Sequence, residues 1–274
     1  MAAVLGAGCT HIPSLSIGDE FMSTMCKWAL ANPELPAELR VPANWPERMR
    51  SEWGDDQGLA AAAEHRKALR EQFDRVRDSL DAFAPDLVVI WGDDQYEMFH
   101  EEIIPPFVVC AFPDMTTQLW QRPMYGAMSN YWNEDRDTPY KIRGHRAAGK
   151  YLASELLREG VDTAYSYQPP EGRPLPAAFV NTIRYLDWDG NGFPYPTVFV
   201  SVNCYGRRVV THKGGVAYPH EFPKDSADFD PPSPTPARCF DVGATIGRAL
   251  AASPWRVAVM ASSSWSHAFL TEKT

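Results

Sequence analysis

Three apolar runs in this chain each stop abruptly at side chains that can do chemistry. Gly6-Ala7-Gly8-Cys9 leads into Thr10-His11-Ile12-Pro13, and Leu87-Val88-Val89-Ile90-Trp91 leads into Gly92-Asp93-Asp94-Gln95-Tyr96-Glu97. Near the other end, the run 256–261 leads into Ser262-Ser263-Ser264-Trp265-Ser266-His267. Short apolar runs bounded by turn residues read as strands buried on both faces. In open α/β sheets, ligands gather beyond the carboxyl ends of such strands. The three endings therefore predict one site at the edge of a sheet.

The intervening segments supply helices. Leu69, Phe73, Val76 and Leu80 share one face of a 3.6-residue period, which predicts a helix from Gly58 to Phe83 that Pro85 ends. A second helix is expected from Gly144 to Glu159, with Ala148, Leu152 and Leu156 inward and Gly160 as its C-terminal cap, and a third from Phe240 to Ala252. Strands are expected over 4–8, 87–91, 106–112, 197–203 and 256–261. The segment Phe179 to Leu186 fits a helical turn or a strand. Residues 17–55 read as an irregular excursion with room for one short helix, and 113–143 and 206–237 as long loops of the kind that wall binding sites. Strands alternating with helices predict an α/β fold: a single domain over 1–274 with a central, largely parallel or mixed sheet flanked by helices.

Composition narrows the partners. A formal net charge of −9 speaks against nucleic acid, whose phosphates need a basic face, and leaves a small-molecule substrate. Five cysteines, odd in number and without a CxxC pair, fit a reducing compartment. The first residues lack a basic leader followed by a long apolar stretch, and no run approaches the about 18 apolar residues of a membrane span. These features predict a cytoplasmic protein with no membrane partner.

A metal able to bind a diol and dioxygen together needs few protein ligands and several open positions. Two imidazoles and one carboxylate on one face of Fe(II) leave room for a diol and dioxygen together. A further histidine off the metal can remove and return a proton, because imidazole titrates near neutral pH. His11 and His267 could supply one ligand and that acid–base group.

On these motifs the chain resembles the LigB superfamily of class III extradiol ring-cleavage dioxygenases, which includes protocatechuate 4,5-dioxygenase catalytic subunits. The THIP segment resembles the family's first metal-histidine motif, and PDLVVIWGDDQYEMF followed by IIPPF resembles its second ligand segment. FVSVN, PTPARCFDVGATIGRAL and RVAVMASSSWSHAF follow in the family's order. The resemblance implies a non-haem Fe(II) site with His11 as ligand, Gln95 where the family has its second histidine, and His267 as the acid–base catalyst. It implies a catechol-like aromatic diol and O2 as substrates, and a homo-oligomer. The family's carboxylate ligand lies beyond the catalytic-histidine motif; the sequence given stops at Thr274, so the expectation is a domain lacking that segment or a site built differently. Asp93, Asp94 or Glu97 could compensate, since carboxylates suit harder ions.

Other residues carry two readings. Tyr96, with Trp91 and the aromatic residues of 113–143, could wall an aromatic ring. Asn203 either holds a substrate oxygen or satisfies backbone at a strand end. Asp93 and Asp94 could cap the following turn instead of serving chemistry. His65 and His100 read as surface residues, His145 as a helix-start residue, and His212 and His220 as loop residues near a substrate entrance. Ser262 to Ser264 lack the GxSxG turn of a serine hydrolase. Two further functions stay open: a metal-free or catalytically impaired module of the same fold that binds ligands or subunits, and a hydrolytic or lyase activity with a harder ion at Asp93, Asp94 or Glu97.

Overall fold

The computed structural model describes residues 2–33, 35–122, 124–210, 213 and 229–264. The strands are β1 (Val4–Thr10), β2 (Leu87–Asp93), β3 (Phe107–Cys110), β4 (Met115–Gln118), β5 (Pro139–Ile142), β6 (Ala164–Ser166), β7 (Thr197–Val202) and β8 (Val257–Ser263). The helices are α1 (Thr24–Ala31), α2 (Glu47–Trp53), α3 (Leu59–Phe83), α4 (Met124–Ala127), α5 (Arg146–Arg158), α6 (Ala177–Leu186) and α7 (Pro236–Ala252).

Six strands form one mixed sheet in the order β1-β8-β2-β7-β3-β6. β1, β8, β2 and β7 run parallel, β3 pairs antiparallel with β7, and β6 runs parallel to β3. The fold is α/β, as the alternation of patterns predicts. Side chains alternate across the sheet with the strand period of two. Val88, Ile90, Val108, Cys110, Phe199, Ala258 and Met260 enter one core, whereas Leu87, Val89, Phe107, Val109, Val198, Val200 and Val257 enter the other. The first core lies under α3 and α6 and the second under α5 and α7. Burial on both faces explains why the central strands read as unbroken apolar runs.

Two expectations need correction, and one open alternative is resolved. The 113–143 segment is not a loop throughout: β4 and β5 pair as an antiparallel ribbon, and Trp120, Tyr125 and Met128 are buried. The 17–55 excursion holds two helices rather than one, α1 and α2. Phe179 to Leu186 belongs to α6, a helix whose ten residues are all buried. The segment is short and mostly apolar, and such runs are compatible with helix and strand alike.

α6 lies against the carboxyl end of β2 because Gly92 has no side chain. A Cβ at Gly92 would lie 2.6 Å from the Ala178 Cβ and 3.3 Å from Phe179 Cε1. That close approach brings the polar residues of α6 to the strand ends.

Candidate active site

The four parallel strands end on one edge, and their registers align the chemical residues. Thr10 pairs with Ser263 across β1 and β8, and Asp93 pairs with Val202 across β2 and β7. His11 follows β1 and is buried, 3% exposed. Its Nδ1 lies 2.8 Å from Ser262 Oγ, and its Nε2 lies 3.4 Å from Asp93 Oδ1. Its backbone N–H donates to Ser263 O at 3.2 Å, and its carbonyl accepts from Asn181 Nδ2 at 3.0 Å. The Tyr185 hydroxyl donates to the next carbonyl, Ile12 O, at 2.8 Å. The imidazole is therefore held from β8 and from α6 on its own backbone and ring.

The opposite face of the pair is also supported. Tyr205 donates its phenolic hydrogen to Asp93 Oδ2 at 2.9 Å, leaving Oδ1 toward His11. Burial, with the Asp93 charge beside it, pushes the Tyr205 phenol far above its ordinary range. A phenol held in that way stays a donor at every physiological pH.

The residues after Asp93 form a turn around the Asp94 carboxylate, which accepts from the backbone N–H groups of Glu97, Met98 and Phe99 at 2.8, 3.0 and 2.9 Å. Tyr96 takes a left-handed conformation at φ 56° within it. Burial raises the Asp94 carboxyl above its usual range despite these donors. Glu97 Oε1 pairs with Arg122 Nη2 at 2.8 Å, and Oε2 accepts from the Ala177 N–H at the start of α6 at 2.9 Å. Burial pushes Glu97 up to about 7 against the pull of Arg122. Of the three acidic candidates, Asp93 is the one set against His11; Asp94 organises its turn, and Glu97 ties that turn to α6.

Gln95 sits half-buried in the same turn, and its amide makes no hydrogen bond among the described residues. The Tyr96 ring stacks on His100 with centroids 4.2 Å apart, and burial, with the Glu101 carboxylate near its hydroxyl, pushes the phenol up to about 12. Asn203 Oδ1 accepts from the Tyr205 N–H at 3.1 Å, the strand-end role open to it from sequence. His145 caps α5 by accepting from the Ala148 N–H at 3.1 Å. His65 is half-exposed beside Glu52. His267, His212 and His220 lie outside the described residues.

Several site residues carry little sequence signal. Tyr205 follows the β7 run by three positions and was within reach of the strand-end argument. Asn181 and Thr182 are, with Arg184, the polar residues of a mostly apolar helix, a pattern that marks buried polar contacts. Ser262 is buried and bonds to both the His11 ring and the Ala178 carbonyl.

The His11 imidazole and Asp93 carboxylate form a mixed nitrogen–oxygen pair suited to a divalent first-row metal. Among the described residues, no group of three His, Cys, Asp or Glu side chains forms. The pair thus fits two donors of a three-donor set. Among the described residues no helix is long and apolar enough to cross a membrane.

Comparison with known proteins points toward dioxygenases. The chain is similar to a 2,3-dihydroxyphenylpropionate/2,3-dihydroxicinnamic acid 1,2-dioxygenase of Rhodococcus jostii (strain RHA1), 30% identical over 131 residues, 48% of this chain and 35% of that protein. A protein of the same name from Rhodococcus sp is 27% identical over 136 residues, 50% of this chain and 36% of its own length. The matches thus span about a third of the length of these curated relatives. No protein-family model matches the sequence.

Proposed function

We propose that this chain is an extradiol-type dioxygenase that opens a catechol-like aromatic ring with non-haem Fe(II) and O2. The observation that carries the proposal is the meeting of His11 and Asp93, from two parallel strands, at the carboxyl edge of the sheet. The similarity to two dioxygenases whose names specify 2,3-dihydroxyphenyl substrates supports the same class of reaction.

In this reading His11 and Asp93 hold the iron, with Gln95 as a neighbouring amide donor. Bound Fe(II) would supply open positions for both diol oxygens and dioxygen and would pass electrons between them. His267 takes a phenolic proton as the diol binds and returns one as the ring opens. Tyr205 keeps the Asp93 carboxylate oriented. Tyr96 and Asn203, the latter with its Oδ1 taken by the Tyr205 N–H, shape the substrate side of the site. Burial of His11 keeps its ring away from bulk water and strengthens the pull of the His11–Asp93 pair on a cation between them.

The test is anaerobic reconstitution with ferrous iron, followed by oxygen uptake and ring-fission absorbance across catechols, gallates, aminophenols and 2,3-dihydroxyphenylpropionate. Stoichiometric iron with oxygen uptake on a diol supports the proposal. Oxygen uptake on no member of the panel sinks it, and a protein that also takes up no iron is the metal-free binding module instead.

A further inference from the structure

We infer that Ser262 is a positioning residue that locks the His11 ring in its Nδ1–H form, so that Nε2 presents a lone pair to Asp93. Counting the hydrogens around Ser262 fixes the ring's tautomer. Ser262 Oγ lies 2.6 Å from the Ala178 carbonyl, which can only accept, so the single Ser262 hydrogen goes there. The Thr182 hydroxyl donates to Ser262 Oγ at 2.8 Å, and the Cys9 thiol donates to Thr182 at 3.7 Å. A hydroxyl with its hydrogen committed and one lone pair taken has one acceptor position left. His11 Nδ1, 2.8 Å away, fills it, and it can do so only with an N–H.

The network has no slack. Ser262, Thr182 and His11 are all buried, as are Ala178 and Cys9. Reversing the His11–Ser262 bond would leave Ser262 Oγ and the Ala178 carbonyl oxygen 2.6 Å apart with no hydrogen between them, a repulsive contact of two buried acceptors. The close fit of Ala178 over Gly92 fixes where that carbonyl sits.

The consequence falls on the other nitrogen. A neutral imidazole carries one hydrogen; with it on Nδ1, Nε2 is an acceptor facing Asp93 Oδ1 at 3.4 Å. Two acceptors so placed repel unless a positive charge lies between them, either a second ring hydrogen or a cation. Their separation exceeds the about 2.7–2.9 Å of a charge-assisted N–H···O bond. Tyr205, donating to Oδ2, turns Oδ1 to the same point from the other side. The pair is a cation receptor set from behind, by Cys9, Thr182 and Ser262 on the imidazole and by Tyr205 on the carboxylate. Partners of this sort fix the tautomer of metal-binding histidines. The identity of the cation as a divalent metal rests on the function proposed above; the tautomer does not.

Nitrogen-15 spectra of the metal-free protein, at a pH where the imidazole is neutral, read the tautomer directly. The His11 signals are assigned by their loss in His11→Gln. Expected are a protonated Nδ1 and a bare Nε2; a protonated Nε2 with a bare Nδ1 overturns the inference without any variant having to fold. In Ser262→Ala, with folding checked by circular dichroism, both tautomers should populate and Zn(II) affinity by competition titration should fall about 10–100-fold. An unchanged tautomer with unchanged Zn(II) affinity overturns the role of Ser262. A wild-type ring in the Nδ1–H form in a protein that binds neither Zn(II) nor Fe(II) upholds the tautomer and overturns the proposed iron site.

Discussion

Tyr205 and Asp93 come from the turns after β7 and at the end of β2, and the phenol donates to the carboxylate at 2.9 Å while the other oxygen faces His11. Removing the donor without changing ring shape isolates its effect. Tyr205→Phe should destabilise the fold by about 1–2 kcal/mol, since a hydrogen bond to a charged group is lost. It should also weaken divalent-metal binding by roughly tenfold, because the carboxylate loses the partner that orients it. Urea melts and metal titrations measure the two effects separately. A variant with wild-type metal affinity would place Tyr205 outside the metal site.

Glu97 sets a pH dependence of stability in the metal-free protein. Its carboxyl stands near 7 in the folded chain, above the 4.5 of an unperturbed glutamate. The folded state therefore binds the proton more tightly than the unfolded state. The resulting stabilisation is complete below about pH 4.5 and is lost as pH rises through about 7. Its full size is on the order of 3 kcal/mol, as an upper figure. Glu97→Gln should flatten the fall in stability between pH 4.5 and 7, measured by denaturant midpoints across that range. An equally steep fall in the variant would assign the effect to other groups.

Gly92→Ala tests whether the approach of α6 to β2 builds the site. The added Cβ would lie 2.6 Å from the Ala178 Cβ, so the helix or the strand must shift. Overpacking of this kind costs typically about 1–3 kcal/mol. The shift also moves the Ala178 carbonyl, to which Ser262 donates at 2.6 Å. The expected result is a lower melting temperature together with a weakened metal affinity. Loss of stability alone, with metal binding intact, would separate the packing of α6 from the site.

The sheet was legible in the sequence because its central strands are apolar on both faces and stop at Asp93, Asn203 and the serines 262–264. His11 was legible for the same reason, as a polar residue placed just after a strand. What the sequence hid is the set of partners. Ser262 and Asp93 meet His11 only through the β1-β8-β2 order, which no local pattern encodes. Asp94 and Glu97, one and four residues from Asp93, carry the same charge but turn to backbone and to Arg122. Their roles depend on the left-handed turn at Tyr96, a conformation that residue type does not announce. α6 stayed open between helix and strand because it is a short, mostly apolar run, and the 113–143 ribbon was missed because its strands are only four residues each.

Arg66 was hidden on the face of α3 that the apolar period marks. It is 3% exposed in a helix read from Leu69, Phe73, Val76 and Leu80. Its Nε donates to Asp19 Oδ1 at 2.5 Å, its Nη2 to the Ile17 carbonyl at 2.7 Å, and its Nη1 to the Leu15 carbonyl. The guanidinium also lies 4.1 Å from the centre of the Tyr131 ring. One planar fork thus fastens the segment that leaves His11, and an ammonium cannot reproduce three such donors in one plane. Arg66→Lys should leave buried carbonyls unpaired and lower stability by about 2–4 kcal/mol. The loosened 15–19 segment should raise amide exchange at His11 and Ile12 more than in the distant α5, read by hydrogen–deuterium exchange. Uniform exchange across the chain would show a global loss of stability with no special tie between Arg66 and the His11 segment.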